Sequence, residues 1–530
     1  MAAVLRFHGL DWDGGIGAHP DERFMVGVAE SLHWPDRLNP FDMAPSFAYG
    51  HLPLYVLALI GGLIQTGDLL LVGRVMAALF DLGTVTLTFA LGRRVYGEKI
   101  GLLGAAFVAL MVLHVQQAHF YIADVSLVFF VLGALLFAVR LVGSGEPSDA
   151  WLAGVWAGLA VGTKFGAALL MLPLGAACAA SPVQSRGRWR YGLECGVAAM
   201  IAFALTNPFV LISFSTFWRN VAEQVVIARG MLDVPYTRQF YGTWPYLYSI
   251  GQQLYWGMGW PLGLAMFGGL ACAIWQAVQK PPSQAEWVLL AWVVPGFTLI
   301  GVLHAKFPRY LLPLTPLLAL YAAHLFVVLR HRIGHLAPFL ICFCLASSFL
   351  YCIAFVNLYR TPHPWQAASR WFYDYVPRGT IVAVEQWDHP LPLNATGYDL
   401  RELPIFDDDT QEKWTAMGEA LAEASYIVIA SKRGYATLAR WSERYPLTAR
   451  YYRQLFAGRV GEVGYEPIAC FGRHPRLGSL VLVDNPTANL DFSLPELCRP
   501  EGRVILRLGR LDESFVVYDH PQVVIWRRVP

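Results

Sequence analysis

Apolar positions fall along this chain in long blocks rather than in short alternations. Between Leu52 and Asn357 the blocks recur, separated by a few charged or turn-forming residues, and most approach the roughly 20 residues that a helix needs to cross a bilayer. The pattern predicts crossings near 70–92, 100–119, 125–142, 150–163, 165–181, 191–213, 260–279, 286–304, 310–330 and 336–358. The block at 51–66 is shorter. As a helix it reaches about 24 Å, against a hydrocarbon core of about 30 Å. Ahead of it, 22–34 has Phe24, Val28 and Leu32 at helical spacing, with Glu22, Arg23, Glu30 and Ser31 elsewhere.

Charge orders these blocks. Arg93, Arg94 and Lys99, then Arg140, then Arg186, Arg188 and Arg190, then Lys280, then Arg330 and Arg332 fall on one side of the membrane under two conditions. The stretch 150–181 must be a hairpin, and 51–66 must lie along the interface instead of crossing. The excess of cations marks that side as cytoplasmic. The loops at 9–69, 119–125, 214–259 and 305–309, and everything after Leu358, then face outward, and Asp21 and Asp124 share a compartment.

From Tyr359 the pattern changes to that of a soluble domain. Ile381-Val-Ala-Val and Tyr426-Ile-Val-Ile-Ala read as buried strands, with a helix near 411–424 between them, and 515–526 reads as a closing hairpin. The expected organisation is a membrane domain over 1–358, its outer loop at 9–69 carrying interfacial helices, followed by an extracytoplasmic α/β domain over 359–530.

Composition narrows the class. Hydrophobic residues make up 56% and charged residues 15% of the 530, which is that of a multi-pass membrane protein. A net charge of +2 with no basic run gives no footprint for nucleic acid. Of eight cysteines, six lie in apolar segments, where packing is their ordinary role; Cys470 and Cys498 could pair in an oxidising compartment. Asn394-Ala-Thr is a glycosylation sequon.

The outer loop concentrates acids in His19-Pro-Asp-Glu22 and its surroundings. Carboxylates tethered to membrane helices must face water or a lined cavity. Asp21 has two readings: a base that takes a proton from an acceptor hydroxyl, or a cap for the helix that follows. Asp124, at the start of an apolar run, is alone an ordinary interfacial acid; beside Asp21 it could orient an acceptor. With Asp21, Glu22 and His119 it could also hold a divalent metal. Lys164 is the one charge between Trp151 and Pro182, either snorkelling or binding an anion. Lys306 and Arg309, in His304-Ala-Lys-Phe-Pro-Arg-Tyr310, could clamp a phosphate, with interfacial anchoring through Tyr310 as the other reading. Arg74 is a further cation at the outer end of its span.

His19-Pro-Asp-Glu22 followed by His51-Leu-Pro-Leu-Tyr55 resembles the first outer loop of type-C (GT-C) glycosyltransferases, in particular the branch of protein O-mannosyltransferases and lipid A aminoarabinose transferases. Leu91-Gly-Arg-Arg-Val-Tyr-Gly97, Gln117-Ala-His-Phe-Tyr-Ile-Ala-Asp124, Gly162-Thr-Lys164 and Lys306-Phe-Pro-Arg-Tyr-Leu-Leu-Pro313 continue the resemblance in order. It implies a polytopic helical GT-C fold in the cell membrane and an inverting transfer on the extracytoplasmic face. The donor would be a polyprenyl-phosphate-linked sugar and the acceptor a hydroxyl on a protein, lipid or glycan. By position, the family's base falls on Asp21 and its second outer-loop acid on Asp124. Glu22 would assist them, Lys306, Arg309, Lys164 and Arg74 would hold the phosphate, and His19, His119 and Tyr310 would line the substrate. Relatives carry a full membrane helix before the acidic loop where this chain has Met1 to Phe7, and a missing helix would loosen that loop. A carrier or flippase for lipid-linked sugars, or a membrane-anchored binding protein, would share the cations without needing a base.

Overall fold

A computed structural model describes residues 1–529. The chain divides into two compact units: Met1–Leu10 with His19–Leu232 and Thr243–Cys352, and Asp11–Ala18 with Asp233–Gly242 and Ile353–Pro530.

The first unit is helical. Among the described residues six helical stretches in the chain are long and apolar enough to cross a membrane: Leu69–Tyr96, Ala123–Ser144, Trp260–Gln279, Gln284–Val302, Pro308–Ile333 and one beginning at Leu336. Other expected crossings are broken or short. The one at 100–119 splits into Glu98–Leu110 and Val112–Gln117 where Met111 turns extended, and that at 165–181 opens as a 3-10 turn, Phe165–Leu170, before Met171–Ala180. The expected surface elements are present as helices, Pro20–Glu30 and Leu52–Ile64. The second has 13 residues, about 20 Å, too short for the apolar core.

One expectation about the first of these fails. Glu22 does not lie on the polar face of its helix but is fully buried, while Phe24 is 37% exposed. The reason is electrostatic: Glu22 meets a buried arginine, and that pairing outweighs the apolar stripe. A second buried polar knot ties the bundle together. Arg6 donates to Asp81 at 2.5 Å and to the carbonyls of Ala109 and Val108, and His114 bridges Asp81 at 2.6 Å and Thr315 at 2.7 Å.

The second unit contains two sheets. The strands are β1 (Ile381–Glu385), β2 (Asp399–Leu403), β3 (Tyr426–Ile429), β4 (Arg459–Val460), β5 (Val463–Phe471), β6 (Arg476–Leu477), β7 (Leu480–Val483), β8 (Val504–Arg507) and β9 (Val523–Arg528). The larger sheet runs β2-β1-β3-β9-β5-β4, its first three strands parallel and the rest antiparallel; the smaller is β6-β7-β8. The predicted strands at 381 and 426 and the helix between them, Gln411–Glu423 capped by Thr410, are all present. Met417, Leu421, Ile427 and Trp526 pack in its core.

The expected hairpin at 515–526 does not form. Only its second half is a strand, and β9 lies between β3 and β5. Glu513–Val516 is a helical turn because Asp512 accepts from the Ser514 amide at 2.9 Å, a cap signal that overrides the β-branched run. Cys470 and Cys498 are joined in a disulfide.

Candidate active site

The helix Pro20–Glu30 starts with proline, whose missing N–H costs nothing in the first turn. Its cap is His19, not Asp21: the His19 Nδ1 accepts from the Glu22 amide at 3.4 Å. Asp21 is thereby left in the first turn with its carboxylate free to meet partners from elsewhere. It receives Arg309, whose Nη2 lies 2.7 Å away. The same guanidinium lies 4.0 Å from the Asp124 carboxylate through Nε, and its Nη1 is 3.5 Å from His19 Nε2. Asp124 in turn accepts from the Lys164 ammonium at 2.7 Å, and Lys164 lies 5.1 Å from the centre of the Tyr310 ring. Two acids 103 positions apart in sequence thus share one arginine, and two cations bracket the pair.

The cluster is poised between burial and access. Asp21 and Lys164 keep 24% and 26% of their side-chain exposure, Arg309 12% and Asp124 4%. Burial acts to raise the Asp21 pKa. Arg309 first, then His19, Lys164 and a hydrogen bond with Tyr49, overcome it and hold the carboxyl below its usual 3.8. Asp21 is therefore ionised at neutral pH. Tyr49 is pushed the other way, well above 10, by burial and by the Asp21 charge, so it stays a neutral hydrogen-bonding phenol.

Several backbone contacts set this geometry. The end of the outer loop is joined to the turn carrying Lys164, Gly50 N donating to Thr163 O at 3.1 Å and Leu52 N to Gly162 O at 3.2 Å. Asn207 Oδ1 takes the His51 amide at 2.7 Å. Gly50 is required there, because a Cβ would stand 2.0 Å from the Gly162 carbonyl oxygen. Arg309 opens a 3-10 turn, Pro308–Leu314, whose first carbonyl is held by Gln253 Nε2 at 2.9 Å.

The structure thus brings together Asp21, Asp124, Arg309, Lys164, His19 and Tyr310. It places three other expected site residues in a brace. Glu22 accepts from Arg74 at 3.0 and 2.7 Å and from the Tyr121 amide at 2.8 Å, and Arg74 also donates to Leu10 O. Both ring nitrogens of His119 face carbonyl oxygens, of Val115 and His8. Asp21, Glu22, Asp124 and His119 do not converge as a ligand set, and no group of three or more metal-ligating side chains occurs among the described residues. Lys306 is buried and makes no ion pair among those residues. It donates to Thr243 Oγ1 at 3.2 Å and His304 O at 3.1 Å, and burial lowers its pKa. Tyr49, Asn207 and Gln253 were not anticipated. For Tyr49 the available signal was an aromatic residue next to a glycine just before the apolar run.

The bundle with its appended α/β unit is a GT-C fold. The oligosaccharyltransferase AglB from Archaeoglobus fulgidus, in complex with an inhibitory peptide and a dolichol-phosphate, superposes with a TM-score of 0.52 over 85% of this chain and 71% of that one, at 15% identity. ArnT from Cupriavidus metallidurans bound to undecaprenyl phosphate aligns over 83% of this chain and 93% of that one, at 16% identity and a TM-score of 0.47. Residues 51–212 match the family described as dolichyl-phosphate-mannose-protein mannosyltransferase. No curated protein matches the chain.

Proposed function

We propose that this protein is an inverting membrane glycosyltransferase that moves a sugar from a polyprenyl-phosphate carrier to an acceptor hydroxyl on the extracytoplasmic face, with Asp21 as base. The observation that carries this reading is the Asp21–Arg309–Asp124–Lys164 constellation: an ionised, partly open carboxylate next to cations that outnumber what an isolated acid needs. The family match over 51–212, which contains Asp124 and Lys164, supports the donor class, as does a fold shared with a protein bound to dolichol-phosphate.

In the reaction, the Asp21 carboxylate takes the proton of the acceptor hydroxyl as its oxygen attacks the anomeric carbon. The bond from that carbon to the phosphate oxygen breaks, and its electron pair leaves with the polyprenyl phosphate. Inversion follows from a single displacement. Arg309 and Lys164 take up the charge on the departing phosphate, helped by Lys306, a buried cation with no ion pair among the described residues. Asp124 keeps Lys164 in place and orients the acceptor. Arriving phosphate competes with Asp21 for Arg309, so donor binding loosens the ion pair and raises the basicity of Asp21 when the base is needed. Glu22, Arg74 and His119 serve as the frame for these groups instead of reacting.

Membranes containing the full chain, supplied with one radiolabelled polyprenyl-phosphate sugar per reaction, test the reading. Transfer of label to an acceptor from one donor supports it; release of no labelled product from any donor while the lipid still binds fits a carrier instead.

A further inference from the structure

The second unit contains a cavity of about 440 Å³ that plays no part in the chemistry above. Its lining starts at Asn357 and Leu358, immediately after the apolar helix Leu336–Val356 ends. The Cys470–Cys498 disulfide forms part of the wall, fixing strand β5 to the 497–501 loop. Leu358, Phe471 and Leu497 give the cavity an apolar side.

The polar side is cationic. Arg473 supplies charge but not donors, since its guanidinium is engaged by the carbonyls of Asp519, Leu358 and Thr361. Arg476 and Arg499 are different: both line the cavity, both are exposed, and neither makes an ion pair among the described residues. Glu501 is the one carboxylate of the lining. Arg476 Nη2 reaches only the Gly478 carbonyl, at 3.4 Å, and two guanidinium groups without an ion pair among the described residues suit an anion with enough charge and oxygens for both, which is a phosphate rather than a carboxylate. Glu501 is then an acceptor for a hydroxyl beside that phosphate.

We propose that this cavity is a binding site for a phosphate-bearing ligand, with Arg476 and Arg499 reading the phosphate and the Leu358–Phe471–Leu497 side taking an adjoining apolar part. The phosphate could come from a lipid headgroup or from a soluble phosphate compound. The site does not depend on the transferase reading, because it shares no residue with the Asp21 cluster.

The test uses the full chain in phosphatidylcholine nanodiscs, titrated with dihexanoyl phosphatidic acid, inorganic phosphate, or dihexanoyl phosphatidylcholine as control. Hydrogen exchange is read at segments 470–476 and 497–501, which separates this site from any phosphate bound at Arg309. Protection of both segments by phosphatidic acid, weakened about tenfold or more in R476A/R499A and partly kept in R476K/R499K, supports a lipid headgroup. Equal protection by inorganic phosphate with the same variant response supports the soluble source. Absence of protection by either ligand, or protection that persists in R476A/R499A, overturns the proposal.

Discussion

Glu22 grips Arg74 at two points, 3.0 and 2.7 Å, with both side chains buried. The same carboxylate accepts the amide of Tyr121, three residues before Asp124. One side chain therefore ties the helix that carries Asp21 to the segment that carries Asp124, across the long Leu69–Tyr96 helix. Breaking such a pair leaves a buried charge without its partner, at a cost of about 3–5 kcal/mol. E22Q should lower the unfolding midpoint and activity together, and E22Q/R74M should recover much of the stability. An E22Q protein with unchanged stability and no activity would return Glu22 to the chemistry.

Arg309 is expected to act on both the base and the phosphate. R309A should reduce kcat by about 10²-fold or more, as loss of a group that meets developing charge does, and R309K should recover part of it. Steady-state kinetics with a fixed acceptor and varied lipid donor checks this.

The pH profile follows from the direction of the Asp21 shift. A base works only when ionised, and Arg309 holds Asp21 below 3.8. The acid limb of kcat/KM should therefore lie below the ordinary carboxylate range. In R309Q the largest opposing cation is gone, burial gains weight, and the limb should move to higher pH. A limb that does not move on R309Q would mean that another group is the base.

The second unit should lose stability as pH rises above neutral. Burial raises Glu385 to about 8, against a hydrogen bond from Tyr452, and raises Glu513 to about 7, against Arg433 and Thr437. Unfolded, both acids lose their protons near 4.5. Between 4.5 and these values the two acids hold more protons in the folded state than in the unfolded one, while His363 and His474, which burial lowers from 6.5 to about 3 and about 4, hold fewer up to 6.5. The two effects oppose each other below 6.5, so stability falls as pH rises from about 6.5 through about 8. Thermal unfolding of the full chain should show this decline, and E385Q, which has no proton to lose, should flatten it.

Much of this arrangement was legible in the sequence, for identifiable reasons. Long apolar blocks report helices through burial alone, and the side preference of Arg93, Arg94 and Lys99 put Asp21 and Asp124 in one compartment on paper. Lys164 and Arg309 stood out because a cation in an apolar setting needs a reason. Glu22 was misread because a helical stripe says which face is apolar, not where a buried partner such as Arg74 waits 52 positions away. The Gly50–Gly162 approach and the Asn207 cap are long-range backbone contacts that leave no periodicity to read. The hairpin expected at 515–526 failed on a short-range signal, Asp512 before Ser514, that the β-branched run concealed.

The most direct test is D21N in the full-length membrane protein, with product formation and lipid-donor binding measured on the same preparation. The account predicts that transfer drops by at least about 10²-fold while donor affinity is kept or improved, since Arg309 is released to the phosphate. Transfer that continues at near wild-type rate in D21N would contradict it.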